Sequence, residues 1–203
     1  MSNLYAPKAV FAPEGERVPR VFASPHRYIQ GPGVIDHTGR YIKALMNVNR
    51  AVILASKRGH DSQGAQVAKS LDLQSMGSES AVFMGECSIP EIEKHAAELE
   101  HQEIDCLIAV GGGKVLDAGR CIAYRLDIPI VVVSTLASTD APCSALSVVY
   151  TPEGKTDHVE VFPQNPAIVI VDTDVVTDAP ERYLVAGMGD AMATWYEANI
   201  CLN

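Results

Sequence analysis

Positive charge is in short supply. The 203-residue chain has 16 lysines and arginines against 25 aspartates and glutamates, a formal net charge of -9. No basic stripe remains to neutralise a phosphate backbone, so nucleic acid is a poor candidate partner. Cysteine is sparse and scattered, at Cys87, Cys106, Cys121, Cys143 and Cys201. An odd number without CxxC spacing argues against zinc ribbons and disulfide frameworks, and for small buried hydrophobes in a reducing, cytoplasmic setting. No apolar run approaches the roughly 20 residues needed to span a bilayer, and no continuous apolar core marks a secretory leader. Repeats and low-complexity tracts are also missing. A hydrophobic content of 47% is nevertheless ample for a core, which excludes a disordered chain.

Residues 1–20, rich in proline and bearing Glu14, Glu16, Arg17 and Arg20, read as a solvated extension. From about Arg50 onward, short β-branched runs alternate with longer amphipathic stretches, the signature of a parallel sheet with crossover helices. Strands are expected at 51–55, 81–84, 106–110, 130–133 and 167–171, the last ending at Asp172. Helices are expected at 63–71, from Ser88 with Pro90 and a capping-box Glu91, and after the glycine turn at 111–114. Residues 146–150 and 158–162 bracket a polar turn at 152–155 and predict a hairpin. From Asp178, read as an N-cap with Glu181 as its partner, the pattern is helical, with Met188, Met192 and Trp195 as packing residues. The fold class is therefore α/β: a Rossmann-like parallel sheet with flanking helices and a β-hairpin, followed by the start of an all-helical unit.

Two segments could carry chemistry. Gly111-Gly112-Gly113-Lys114 ends a strand buried on both faces and opens a helix, so backbone amides and the helix dipole can meet a diphosphate. It matches neither GxGxxG nor the P-loop, and a plain strand-to-helix turn is the structural alternative. Residues 134–144 are dense in hydroxyls and follow a strand's carboxyl end, where open α/β sheets bind ligands. Asp140 is their one carboxylate. The competing reading is a solvated loop whose hydroxyls cap their own turns.

The run Ala137-Ser-Thr-Asp-Ala-Pro-Cys-Ser-Ala-Leu-Ser-Val-Val-Tyr-Thr-Pro-Glu-Gly154 resembles the glycerol dehydrogenases of the iron-containing alcohol dehydrogenase superfamily, as do residues 28–31, 85–88, 111–120 and 184–197 in the same order. The resemblance covers nearly everything from about Ser24. It implies NAD-linked oxidation of glycerol or a related vicinal diol to a hydroxyketone by a metal-dependent, cytoplasmic enzyme, a homo-oligomer when full length. It further implies that Gly113 and Lys114 meet the cofactor diphosphate, with Gly111 and Gly112 shaping the turn. Thr135, Ser138, Ser144, Leu146 and Tyr150 would line the rest of the dinucleotide site, Asp140 would bind substrate hydroxyls, and Asp190 would be a metal ligand. Zinc is the expected ion and iron the alternative; without the family, Asp190 reads as a helix N-cap. The domains follow: extension 1–20, NAD-binding unit 21–176, and the first helices of a metal-binding unit at 177–203.

Two departures stand out. The family's histidine ligands lie well downstream of its aspartate, whereas His26, His37, His60, His95, His101 and His158 all precede Asp190 and match no ligand motif. The metal site is thus expected to be incomplete, with uncovered apolar surface on the last helix. Where the family places an aspartate for the adenosine ribose, this chain has Ser56, followed by Lys57 and Arg58. That favours a 2′-phosphate and makes NADP an alternative cofactor, against an exposed basic turn. The rival functions are an inactive dinucleotide-binding module and a lyase of the dehydroquinate synthase type.

Overall fold

The computed structural model describes residues 5–12, 17 and 19–202; Glu14, Glu16 and Asn203, which belong to the expected extension and last helix, lie outside them. The first described element is a short helix, α1 (Pro7–Phe11), which buries nothing. Strand β1 (Arg27–Gly31) then leads through a 3-10 turn (Val34–His37) into α2 (Thr38–Leu45) and β2 (Arg50–Ala55). A continuous helical path follows: α3 (Lys57–Gly59), a π turn (His60–Gly64) and α4 (Ala65–Asp72). Next come β3 (Gly77–Val82), α5 (Ile89–Leu99), β4 (Cys106–Gly111), α6 (Gly113–Arg125) and β5 (Ile130–Ser134). After β6 (Leu146–Tyr150), β7 (Thr156–Val161) and β8 (Ile168–Asp172), the chain ends in α7 (Thr173–Asp178) and α8 (Glu181–Leu202).

Six strands form one sheet in the order β1-β8-β5-β4-β2-β3, and every pairing in it is parallel. Parallel strands need crossovers, and here these cover both faces. Alternate residues consequently go to opposite cores. Val52, Leu54, Leu107, Ala109 and Val132 face α5, α6 and the hairpin. Ile53, Ile108, Val110, Val131 and Val133 face α2 and α4. Strands β6 and β7 make a separate antiparallel ribbon, the expected hairpin. Arg125 of α6 clamps it with two bonds to Glu160, at 2.9 and 3.0 Å, and Ser147 Oγ donates to the Asp117 carbonyl at 3.0 Å.

Several local expectations are corrected. Asp178 ends α7 and does not cap α8; Pro180 stands directly before α8 instead. The cap of α7 is Asp172, whose buried carboxylate accepts from the amides of Asp174, Val175, Gly33 and Ile35. The capping box at Ser88 is not made, because Ser88 N–H already goes to the Glu86 carbonyl, while Glu91 accepts from Met84 N–H at 3.3 Å and meets His95 at 3.1 Å. The strand expected at 81–84 runs at 77–82, and the helix expected from Gln63 begins at Lys57. Met188, Met192 and Trp195 are exposed, at 58%, 68% and 68%, because one side of α8 has little to pack on among the described residues. Cys201, on the same helix, is also exposed, whereas Cys87, Cys106 and Cys121 are buried.

Candidate functional site

The chain leaves β2 toward β3 at one edge and leaves β4 in the opposite sense, toward β5. The carboxyl ends of β2 and β4 therefore form a topological switch point, where crossovers diverge and a crevice opens. A cleft of about 350 Å³ occupies it, walled by Ser56, Arg58, Gly111, Thr135, Arg182 and Tyr183 among others. A larger cavity of about 410 Å³ lies near the amino ends of β5 and β8, at Ile130 and Ala167, away from this crevice. The smaller cleft has the better claim, since its position follows from the sheet topology and Gly111 on its wall leads directly into the N-terminus of the next helix.

That N-terminus belongs to α6. Val115 and Leu116 make the first bonds of the helical ladder, to the Gly112 carbonyl at 3.0 and 3.2 Å, so the amides of Gly113 and Lys114 precede it. A Cβ on Gly113 would meet nothing within 4 Å, whereas one on Gly112 would come within 2.7 Å of the Leu136 side chain. The turn thus presses against its neighbours at Gly112 and leaves open space at Gly113, beside unladdered amides. Those features suit a diphosphate. Lys114 is not a free cation: its ammonium pairs with Glu86. Ser56 Oγ accepts from Gly59 N–H at 3.1 Å and caps α3, and Arg58 stands on a cleft wall that also carries Asp178 and Arg182.

Thr135 N–H donates to the Gly111 carbonyl at 3.1 Å, which fixes the start of the hydroxyl-rich loop against the glycine turn. Ser138 stands against α8, its Cα 3.4 Å from where a Cβ on Gly187 would fall. Asp140 is exposed, and its backbone N–H donates to Asp190 Oδ2 at 3.0 Å, so two carboxylate residues fifty positions apart stand together. Ser144 Oγ donates to the Ala141 carbonyl at 2.9 Å, closing the turn after Asp140. Leu146 and Tyr150 lie farther along on β6; Leu146 is exposed, and Tyr150 N–H donates to the Cys87 carbonyl at 2.8 Å. Of the sequence-predicted residues, Ser56, Gly111 and Thr135 wall the cleft, and Asp140 and Asp190 meet each other. Gly112, Gly113, Lys114, Ser138, Ser144, Leu146 and Tyr150 are not part of the cleft wall.

Sequence reasoning did not single out Arg182 and Tyr183. They reach the cleft because α8 folds back over the sheet end, a tertiary event with no local signal. Asp117 and Arg120 were likewise passed over, although charges three apart in the apolar helix α6 are visible in the sequence. Burial pushes the Asp117 carboxyl up to about 6, with the Arg120 charge opposing, and burial lowers Arg120. Burial, then the Asp140 charge, raises the Cys143 thiol.

Residues 25–173 match the family described as iron-containing alcohol dehydrogenase. The chain belongs to that family. It is 43% identical over 182 residues to a glycerol dehydrogenase of Escherichia coli O6:H1, covering 90% of this chain and 49% of the relative. A glycerol dehydrogenase of Thermotoga maritima is 54% identical over 120 residues, covering 59% of this chain and 33% of the relative. Among solved structures, glycerol dehydrogenase from Schizosaccharomyces pombe superposes with a TM-score of 0.81 at 35% identity, covering 88% of this chain and 45% of that one. A probable glycerol dehydrogenase from Sinorhizobium meliloti 1021 gives 0.79 at 38% identity, with coverage of 88% and 48%. The chain spans about half the length of the curated relatives it matches.

Iron-containing alcohol dehydrogenases imply a dinucleotide and a metal, and the residues present fit these unequally. The glycine turn and cleft fit the dinucleotide. For the metal, no group of three or more His, Cys, Asp or Glu gathers among the described residues, and Asp190 already accepts from Asp140 N–H. These residues do not by themselves make a coordination shell. No helix among the described residues is long and apolar enough to cross a membrane.

Proposed function

We propose that this chain is the dinucleotide-binding part of an NAD-linked polyol dehydrogenase of the glycerol dehydrogenase type. The carrying observation is the open space at Gly113, beside amides that precede the helical ladder and next to a switch-point cleft. The division into an extension at 1–20, a cofactor unit at 21–176 and the opening of a helical metal-binding unit at 177–203 belongs to the same reading. So do the homo-oligomeric state of the full-length enzyme and its cytoplasmic setting.

In this reading the Gly113 and Lys114 amides hold the diphosphate, and Glu86 keeps the Lys114 ammonium beside it. Thr135, Ser138 and Ser144 offer hydroxyls to the ribose and nicotinamide end, with Leu146 and Tyr150 as the apolar wall. Asp140 accepts hydrogen bonds from the polyol hydroxyls and orients the reacting carbon. When bound, the dinucleotide supplies the hydride acceptor, so that glycerol and NAD⁺ give dihydroxyacetone, NADH and a proton. Asp190 is this chain's one contribution to a divalent metal, zinc or iron. A second reading, NADP as the cofactor, draws on Arg58 in the cleft wall and on the absence of a carboxylate at Ser56.

Gly113→Ala tests the proposal. A methyl group there meets nothing within 4 Å beyond its own stretch of chain, so the variant should fold and melt like the parent. It should also bind dinucleotide about tenfold or more weakly, by calorimetry, because it fills the space beside the amides. Unchanged affinity would remove the diphosphate site. The ratio of NADP to NAD affinity in the parent chain decides between the two cofactors.

A further inference from the structure

Helix α6 buries two charges. Arg120 is 3% exposed and Asp117 8%. The Arg120 Nη1 donates to Asp117 Oδ1 at 2.8 Å, and Nη2 donates to the carbonyl of Ala141, the residue immediately after Asp140. The same carbonyl receives the Ser144 hydroxyl at 2.9 Å and the Ser144 amide at 3.1 Å. Two residues on, Asn165 Nδ2 donates to the Cys143 carbonyl at 2.8 Å. From the other side, Asp190 takes the Asp140 amide. The loop is therefore seated on Arg120 and Asn165 and held by α8.

Stability alone is a weak explanation for this seat. A buried Asp–Arg pair often does no better than an apolar pair of similar volume, because desolvation offsets the attraction. Here the guanidinium also keeps a buried Nε without an acceptor among the described residues, which adds to the cost. What the pair supplies that an apolar pair cannot is direction: a planar fork with one arm anchored on its own helix and the other aimed at one backbone carbonyl.

We infer that Arg120, anchored by Asp117, is a positioning residue that fixes Asp140 beside Asp190 by holding the carbonyl of Ala141. Its consequence for substrate rests on the proposed role of Asp140; the positioning itself does not.

Arg120→Lys separates this from a purely structural role. Lysine keeps a charge for Asp117, but a single ammonium does not reproduce the two-armed fork. In the 203-residue chain, hydrogen exchange at the amides of Asp140, Ala141, Cys143 and Ser144 should quicken by about tenfold or more, the expected effect of losing one charged hydrogen bond. The melting midpoint should stay close to the parent's. Arg120→Met, which strands a buried carboxylate, should lower the midpoint as well. Lysine restoring global stability but not loop protection is the supporting result. An Arg120→Lys chain that leaves 140–144 as protected as the parent, or that fails to fold, overturns the inference. Asp140→Asn, followed by calorimetric titration of glycerol into the NAD-loaded chain, tests the substrate role separately. Unchanged glycerol affinity there would remove that role and leave the exchange result standing.

Discussion

Replacing Gly187 by alanine probes the contact that joins Asp140 to Asp190. Gly187 sits on α8 where a Cβ would fall 2.1 Å from the Ala137 carbonyl oxygen, 3.0 Å from its carbon and 3.4 Å from the Ser138 Cα. All three are backbone atoms, so no side chain can swing aside. Ordinary contact begins at 3.4 Å, and 3.4 minus 2.1 requires a retreat of 1.3 Å. Two effects compete: alanine favours the helix interior by about 1 kcal/mol over glycine, while overpacking costs about 1–3 kcal/mol. Most of α8 is exposed, so the helix can yield by moving off the loop rather than by unfolding. The clash should therefore appear locally. A 1.3 Å retreat along the bond would stretch the 3.0 Å Asp140–Asp190 hydrogen bond past any useful length. Gly189, two residues on, has nothing within 4 Å of its Cβ and serves as the control. Gly189→Ala should raise stability by up to about 1 kcal/mol and leave Asp140 amide exchange unchanged. Gly187→Ala should keep its helical circular dichroism and quicken that exchange by about tenfold. If the two variants behave alike in exchange, α8 does not rest on the loop as described.

Arg125→Ala should cost about 3 kcal/mol in urea denaturation, because it removes both close hydrogen bonds of Glu160, whose side chain is 1% exposed, and leaves the His158 ring at 3.7 Å as its ionic partner. Burial alone would raise the Glu160 carboxyl, but the Arg125 hydrogen bonds and charge bring it below the usual range. An apolar double replacement of Arg125 and Glu160 should recover most of the loss, and equal loss in both variants would show that the charge pair is not the cause. Asp117 gives a pH signature. Its folded carboxyl lies at about 6, above the ordinary value near 3.9, so the native state holds more protons across that interval. Its contribution is fully present below about pH 4 and is lost as pH rises through about 6, a fall of roughly 2–3 kcal/mol. Asp117→Asn should flatten that part of the stability profile measured from pH 4 to 7.5. A parent profile that rises across the interval relative to the variant would mean that the attraction to Arg120 outweighs burial.

The sheet was legible because a parallel strand covered on both faces reads as an unbroken apolar run, and residues 106–110 and 130–133 are such runs. The glycine turn and the hydroxyl loop were legible for a related reason: each follows such a strand, so its place at the ligand-binding end of the sheet comes with the topology. What failed to show was the identity of polar partners. Asp178 looked like a helix cap because Glu181 stands three residues on, yet the carboxylate that caps is Asp172, and it also takes the amides of Gly33 and Ile35, some 140 residues away in sequence. Asp117 and Arg120 have the spacing of an exposed helical ion pair, but one arm of the arginine ends on the carbonyl of Ala141. In each case the missing partner is backbone. Side-chain patterns record which face of an element is apolar, but every residue carries the same carbonyl, and all but proline carry the same amide. No pattern therefore marks the one a buried charge will find. The same reasoning explains why a resemblance could point to Asp140 and Asp190 while the residue that seats their loop went unnoticed: its hydrogen bond to the loop reads no side chain there.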